Sequence, residues 1–83
     1  MCTNIIEKAR ISGSGKGAAG WFTLTEAYVS YDHPFHAPVE HALNIDFVNP
    51  AQCPGARVAV ELTRASAVGL MEAIQAALAR AED

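Results

Sequence analysis

Two short segments in the second half of this chain alternate apolar and polar residues, and this period of two constrains the fold more than any other feature. The first segment spans residues 41–49, and the second spans residues 57–62. The apolar positions are Leu43, Ile45 and Phe47, then Val58, Val60 and Leu62. Alternation predicts strands with one buried face, because successive side chains of a strand point to opposite sides. Strands of a parallel sheet are covered on both faces and would not alternate, so the pattern favours an antiparallel sheet.

Two further strands are predicted in the first half of the chain, on either side of a glycine-rich stretch. Residues 2–11 and 21–32 are rich in β-branched and aromatic residues, which favour strands. The stretch between them, residues 12–20, contains four glycines and is predicted to be a hairpin loop.

The last twenty residues follow a helical period. Thr63 is a suitable N-cap, and the apolar positions after it recur at spacings of three and four. These positions are Ala67, Leu70, Met71, Ile74, Ala77, Leu78 and Ala81. Since the links between strands are too short for crossover helices, we predict an α+β fold in one domain, residues 1–83. It is a four-stranded antiparallel meander with one C-terminal helix packed on one face.

The register of the predicted sheet follows from matching the apolar faces of neighbouring strands. A slip of one residue would turn a strand's whole buried set outward. The matches are Tyr31 with Leu43, Val29 with Ile45, Ala27 with Phe47, Phe47 with Val58, Ile45 with Val60, and Leu43 with Leu62. Continuing the same register beyond Tyr31 and Leu43 places His33 opposite His41 at the rim of the sheet.

Charge and hydropathy exclude several classes of partner. The net charge is −3 and no basic run is present, so neither nucleic acid nor an anionic membrane is an expected partner. No apolar run approaches the ~20 residues of a spanning helix, and no secretory signal is visible, so we expect a cytoplasmic protein. The two cysteines, Cys2 and Cys53, are then expected to be free thiols.

All three histidines lie within nine residues, at positions 33, 36 and 41. Imidazole is the commonest transition-metal ligand, and three of them leave an open position on zinc or non-haem iron. The candidate metal ligands are therefore His33, His36, His41 and Cys2, the last because the first hairpin returns it toward this end of the sheet. The candidate catalytic residues are Asp32 and Glu40, which bracket the cluster and could move a proton.

Other interpretations of the same residues remain open. His33 and His41 could form a purely structural cross-strand pair, and the spacing matches no metal signature that defines a family. Polar residues on the outer face, including Tyr28, Asn44 and Glu61, could do acid–base work if covered, or could simply face solvent. The glycine stretch lacks the spacing of a phosphate-binding loop, although a backbone anion nest using Lys16 is another interpretation.

Several parts of the sequence resemble a family of small actinobacterial proteins of unknown function. They are the Met-Cys-Thr start, the Gly-Ser-Gly-Lys-Gly and Gly-Trp-Phe stretch, and the Asp-His-Pro-Phe-His-Ala-Pro-Val-Glu-His block. The resemblance covers nearly the whole chain and implies a small cytosolic domain. It brings no activity, cofactor or residue role with it, so any function must be argued from the site.

Two functions are the main ones consistent with the sequence, and a weaker third is an acid–base enzyme centred on the histidines without a metal. The first is a divalent-metal enzyme that acts on a small molecule, with imidazoles holding zinc or iron and Asp32 or Glu40 transferring a proton. The second is a non-catalytic oligomeric module in which the histidines are structural. A homodimer is expected in either case, through edge strands or a covered outer face, because the chain is short and its sheet has two open edges.

Overall fold

A computed structural model describes residues 5–34, 36, 38–52 and 55–81 of the chain, and it contains one sheet and one long helix. The elements are β1 (Ile5–Gly17), β2 (Gly20–Asp32), β3 (Ala42–Val48), β4 (Arg57–Leu62) and α1 (Arg64–Arg80). Neighbouring strands are antiparallel and follow chain order, β1-β2-β3-β4. The predicted α+β fold, a four-stranded meander with a C-terminal helix, is confirmed.

The register between the last three strands is the one that the apolar pattern predicts. All six predicted pairs occur, from Ala27 with Phe47 to Leu43 with Leu62. We call the side that carries these residues the inner face. The outer face carries the intervening polar residues, among them Ser30, Asn44 and Glu61.

The predicted loop at residues 12–20 is wrong, because β1 continues through most of the glycines. The ladder with β2 runs to Gly17 opposite Gly20, which leaves a turn of only Ala18 and Ala19. Gly20 has a φ of 114°, which a residue with a side chain rarely adopts, so this glycine permits the tight turn. Pairing with the aromatic residues of β2 outweighs the low strand propensity of glycine here.

The β1–β2 hairpin bends toward β4. Its register shifts between Arg10 and Gly13, and such bulges increase the local twist of a strand. At the tip, a Cβ on Gly17 would lie 3.1 Å from the Phe22 ring and 3.2 Å from the carbonyl oxygen of Gly55. The absence of a side chain at Gly17 therefore allows the tip to lie against the chain just before β4.

Asn49 ties this bend to the β3–β4 connection. Its side-chain amide donates to the carbonyl of Thr23 at 3.0 Å, and its side-chain oxygen accepts from the backbone of Ala51 at 3.1 Å. Its backbone nitrogen donates to the carbonyl of Ala56 at 3.1 Å. Asn49 is buried, so these bonds satisfy groups that water does not reach.

Helix α1 begins where the sequence predicts. The hydroxyl of Thr63 accepts a hydrogen bond from the backbone of Ser66 at 3.1 Å, as an N-cap does. The first two turns of the helix line an open groove together with Tyr31 and Leu43 of the inner face. The second half of the helix continues past this groove, and Leu78 is 70% exposed.

Little of the described chain is buried. The buried residues are Ala27, Ala42, Ala56 and Asn49, and within the described ranges no large side chain is fully enclosed. None of the helical residues that the structure describes is buried either. The described part of the chain also contains no helix of the length and apolar character that crossing a membrane requires.

Candidate functional site

His33 and His41 stack against each other where β2 and β3 separate. Strand pairing ends at Asp32 opposite Ala42, and the next residue on each side is a histidine. The two ring centroids lie 4.8 Å apart with the planes inclined by 25°. His41 also stacks with Tyr31 at 5.8 Å. We call this group of three rings the histidine rim.

The hydrogen bond that His33 makes fixes its tautomer. Nδ1 of His33 lies 2.8 Å from the backbone carbonyl oxygen of Glu40. A carbonyl can only accept, so Nδ1 must carry the hydrogen, and in the neutral ring the lone pair is on Nε2. Imidazoles that bind metals or accept protons are commonly oriented by a bond of this kind.

The other candidate site residues lie around the rim in different roles. The carboxylate of Asp32 accepts from the backbone of His33 at 2.7 Å, while Glu40 contributes its carbonyl group. His36 is exposed, and its backbone nitrogen donates to the carboxylate of Glu61 at 3.0 Å. Cys2 lies outside the described residues, as does Cys53.

The described residues do not assemble the expected ligand set. Among them, no three His, Cys, Asp or Glu side chains come together in a way that would hold a metal ion. His33 and His41 stack face to face, whereas an imidazole binds a metal ion in the plane of its ring. The Nε2 atom of His41 is buried, and in the described structure it has no hydrogen-bond partner.

A polar cleft lies on the outer face of the sheet, with a volume of about 250 Å³. Arg57 spans it by donating to Asp46 from Nη2 at 2.6 Å and from Nε at 2.9 Å. The remaining polar side chains of the cleft are Ser30, Asp32, His33, Asn44 and Glu61. The cleft thus brings together Asn44 and Glu61, two of the outer-face residues that the sequence offers for acid–base chemistry.

Tyr28 lies next to this cleft and forms its own small network on the outer face. Its hydroxyl donates to the carboxylate of Glu26 at 2.7 Å, and Lys8 lies 3.8 Å from the other oxygen of Glu26. The hydrogen bond to Glu26 raises the pKa of Tyr28 above 10.0, because ionisation would remove the donated proton. Desolvation and the negative charge of Glu26 act in the same direction.

An apolar groove lies between the first half of α1 and the inner face of the sheet, with a volume of about 530 Å³. It is lined by Ile5, Tyr31, Leu43, Arg64, Ala67, Val68 and Met71. The guanidinium carbon of Arg64 lies 5.9 Å from the centre of the Tyr31 ring. Tyr31 therefore belongs to both the groove and the histidine rim.

The sequence does not predict this groove. The helical period predicts a face covered by the sheet, whereas the large apolar side chains of the helix are all at least 44% exposed, namely Val68, Leu70, Met71, Ile74 and Leu78. One signal was present in the sequence. Val68 and Leu70 are two residues apart and point to different sides of a helix, so a single covered stripe cannot hold both.

A family model described as a family of unknown function (DUF6295) matches residues 1–83. No curated protein and no solved structure matches the chain.

Proposed function

We propose that this chain, which belongs to the DUF6295 family of unknown function, is a homodimeric assembly module. In this proposal a second copy of the chain buries the apolar side chains that are exposed in one copy. The observation that carries it is the size of the exposed surface. The chain exposes 6318 Å², whereas a folded monomer of 8.8 kDa is expected to expose about 4,800 Å².

The excess of about 1,500 Å² per chain has the size of a permanent interface. Obligate homodimers bury roughly 2,000–5,000 Å² in total, or half of that on each chain. The chemistry agrees, since large apolar side chains rarely stay exposed in a contiguous patch on a monomer. The side chains in question lie mainly on α1, so the proposed interface includes the helix and the inner face rather than the outer face.

Sedimentation equilibrium of the purified chain tests this proposal. We expect a mass of twice 8.8 kDa at a chain concentration of about 10 μM, because the buried apolar area would give a tight dimer. The measurement should be repeated in high salt, which weakens charge-mediated association and leaves apolar association intact. A single species of 8.8 kDa at about 100 μM would contradict the proposal.

A second candidate function is a small-molecule site at the histidine rim, with a divalent metal as cofactor. The tautomer of His33 favours it, because the bond to Glu40 leaves Nε2 with a lone pair for a metal ion or a proton. The buried, unpartnered Nε2 of His41 among the described residues is a second nitrogen that a ligand would satisfy. Binding through both rings requires them to leave their stacked arrangement. Asp32 or Glu40 would then move the proton.

Elemental analysis of protein purified without a histidine tag tests the second candidate. Near-stoichiometric zinc or iron is expected, and the double substitution His33→Ala and His41→Ala should remove it. A Tyr28→Phe chain is the control, because Tyr28 lies on the outer face away from the rim. A metal-free chain, in which the double substitution changes only stability, would contradict this candidate.

A further inference from the structure

The apolar stripe of α1 that touches the sheet continues beyond it. Ala67 and Met71 line the groove, and Ile74 and Leu78 follow them at spacings of three and four on the same side of the helix. Ile74 is 52% exposed and Leu78 is 70% exposed. The 17-residue helix is about 25 Å long, so its second half carries an apolar side that the described chain does not cover.

The groove and this uncovered half-helix have complementary chemistry. The groove is open and lined mainly by aliphatic and aromatic side chains, and helices with an apolar side commonly bind in grooves of this kind. Arg64 adds a positive charge to the groove lining. The last turn of α1 carries partial negative charge on its free carbonyl groups and a positive charge on Arg80, so the match between half-helix and groove is apolar rather than electrostatic.

We propose that two copies of the chain exchange these elements, with residues 74–78 of each helix lying in the apolar groove of the other copy. This arrangement rests on the proposed homodimer and specifies its interface. A second copy is the occupant because one chain carries both surfaces, and a twofold axis then satisfies both grooves at once. The exposed excess of about 1,500 Å² per chain is enough for two such contacts.

Two pairs of matched variants test the arrangement by sedimentation velocity. Leu78→Glu places a charge on the stripe, and Ala76→Glu places the same charge on the opposite side of the helix. Ile5→Lys places a charge in the groove, and Ile6→Lys places it on the outer face of the same strand. We expect Leu78→Glu and Ile5→Lys each to raise the dimer dissociation constant at least about 100-fold, because a charge would be buried in apolar surroundings. The two control variants should stay within about threefold of the wild type.

A mixing experiment separates loss of the interface from loss of folding. A Leu78→Glu chain mixed with an Ile5→Lys chain should form a heterodimer more tightly than either variant pairs with itself. In one contact of the heterodimer, Glu introduced at position 78 of one chain meets Lys introduced at position 5 of the other, and the opposite charges attract. The other contact joins a wild-type helix to a wild-type groove. A misfolded variant would not be rescued by mixing.

The outcomes distinguish this inference from the proposal on which it rests. A monomeric wild-type chain would refute both. A dimeric wild type that tolerates Leu78→Glu and Ile5→Lys would refute the exchange and leave the homodimer standing. Loss of the dimer in Leu78→Glu but not in Ile5→Lys would also refute the exchange, because the helices would then pair with each other outside the grooves.

Discussion

Asn49 is a buried polar residue that connects separate segments of a chain in which few described residues are buried. Its side chain and backbone join β2, the short turn Pro50–Gln52 and the start of β4, which are distant in sequence. A buried amide costs free energy unless all its groups are paired, so this residue specifies one arrangement of the three segments. Nothing in the alternation pattern distinguishes Asn49 from a residue that merely ends a strand.

We expect Asn49→Ala to lower the free energy of unfolding by about 2–3 kcal/mol. The substitution removes two partly buried hydrogen bonds of the Asn49 side chain, one to the carbonyl of Thr23 and one from the backbone nitrogen of Ala51. Urea denaturation followed by circular dichroism measures the change. Asn44→Ala is the matched control, since it removes one bond of 3.3 Å to the nearby Ala42, and we expect it to cost less than about 1 kcal/mol. Equal costs for the two variants would contradict this role for Asn49.

Tyr28 provides a prediction about pH at the same scale. The hydrogen bond to Glu26 keeps its proton in the folded state, so its pKa lies above 10.0. The unfolded chain loses this proton first, at about pH 10, so the stabilisation is complete below that pH and is lost as pH rises through the folded pKa. Titration of ¹³C-labelled tyrosine by NMR should show the raised value. In Glu26→Gln the pKa should move back toward 10, and an unchanged pKa would count against the assigned cause.

The elements of this protein follow local rules with one exception. Alternation predicted β3 and β4 and their register, and the helical period predicted α1 with its cap at Thr63. The exception is the glycine stretch, where cross-strand pairing extends β1 to Gly17 against the local preference for a loop. Pairing with a neighbouring strand is a long-range effect, so the composition of the stretch alone could not reveal it.

The cap of α1 provides a prediction at the scale of the element. Thr63→Ala removes the hydroxyl that accepts from Ser66, and we expect it to lower the free energy of unfolding by about 1 kcal/mol. Thr63→Ser keeps the hydroxyl and should stay within about 0.5 kcal/mol of the wild type. Thermal denaturation followed at 222 nm measures both. If the serine variant lost as much stability as the alanine variant, the cap would not be the cause.

At the scale of the whole molecule, the proposed homodimer would make thermal stability depend on the chain concentration. If folding and dimerisation are coupled, the melting temperature should rise by about 4 °C for each tenfold increase in chain concentration, given a typical unfolding entropy for two chains of 83 residues. Differential scanning calorimetry between about 5 and 500 μM measures this rise. The Leu78→Glu variant should melt at a lower temperature than the wild type at every concentration, because its dimer dissociates more readily. A constant melting temperature in the wild type would contradict coupled folding and dimerisation.

Some features of the candidate sites follow from local sequence, and others depend on contacts between distant residues. The sequence placed His33 opposite His41, because their position follows from the register of two strands. It did not place the ring nitrogens of these two histidines, because ring orientation depends on stacking and on the carbonyl of Glu40. The apolar groove depends on the angle at which α1 leaves the sheet, which the helical period does not determine.

The sequence by itself determined the strands of the second half, their register, the capped helix and the α+β class, because each follows from a short repeating pattern of side chains. Only the tertiary structure decided that β1 runs through the glycines, that Asn49 joins three segments, and that half of α1 extends beyond the sheet. These features arise from contacts between residues far apart in the chain. An apolar pattern indicates which side of a helix must be covered, but the packed structure determines how much of that cover one copy of the chain supplies.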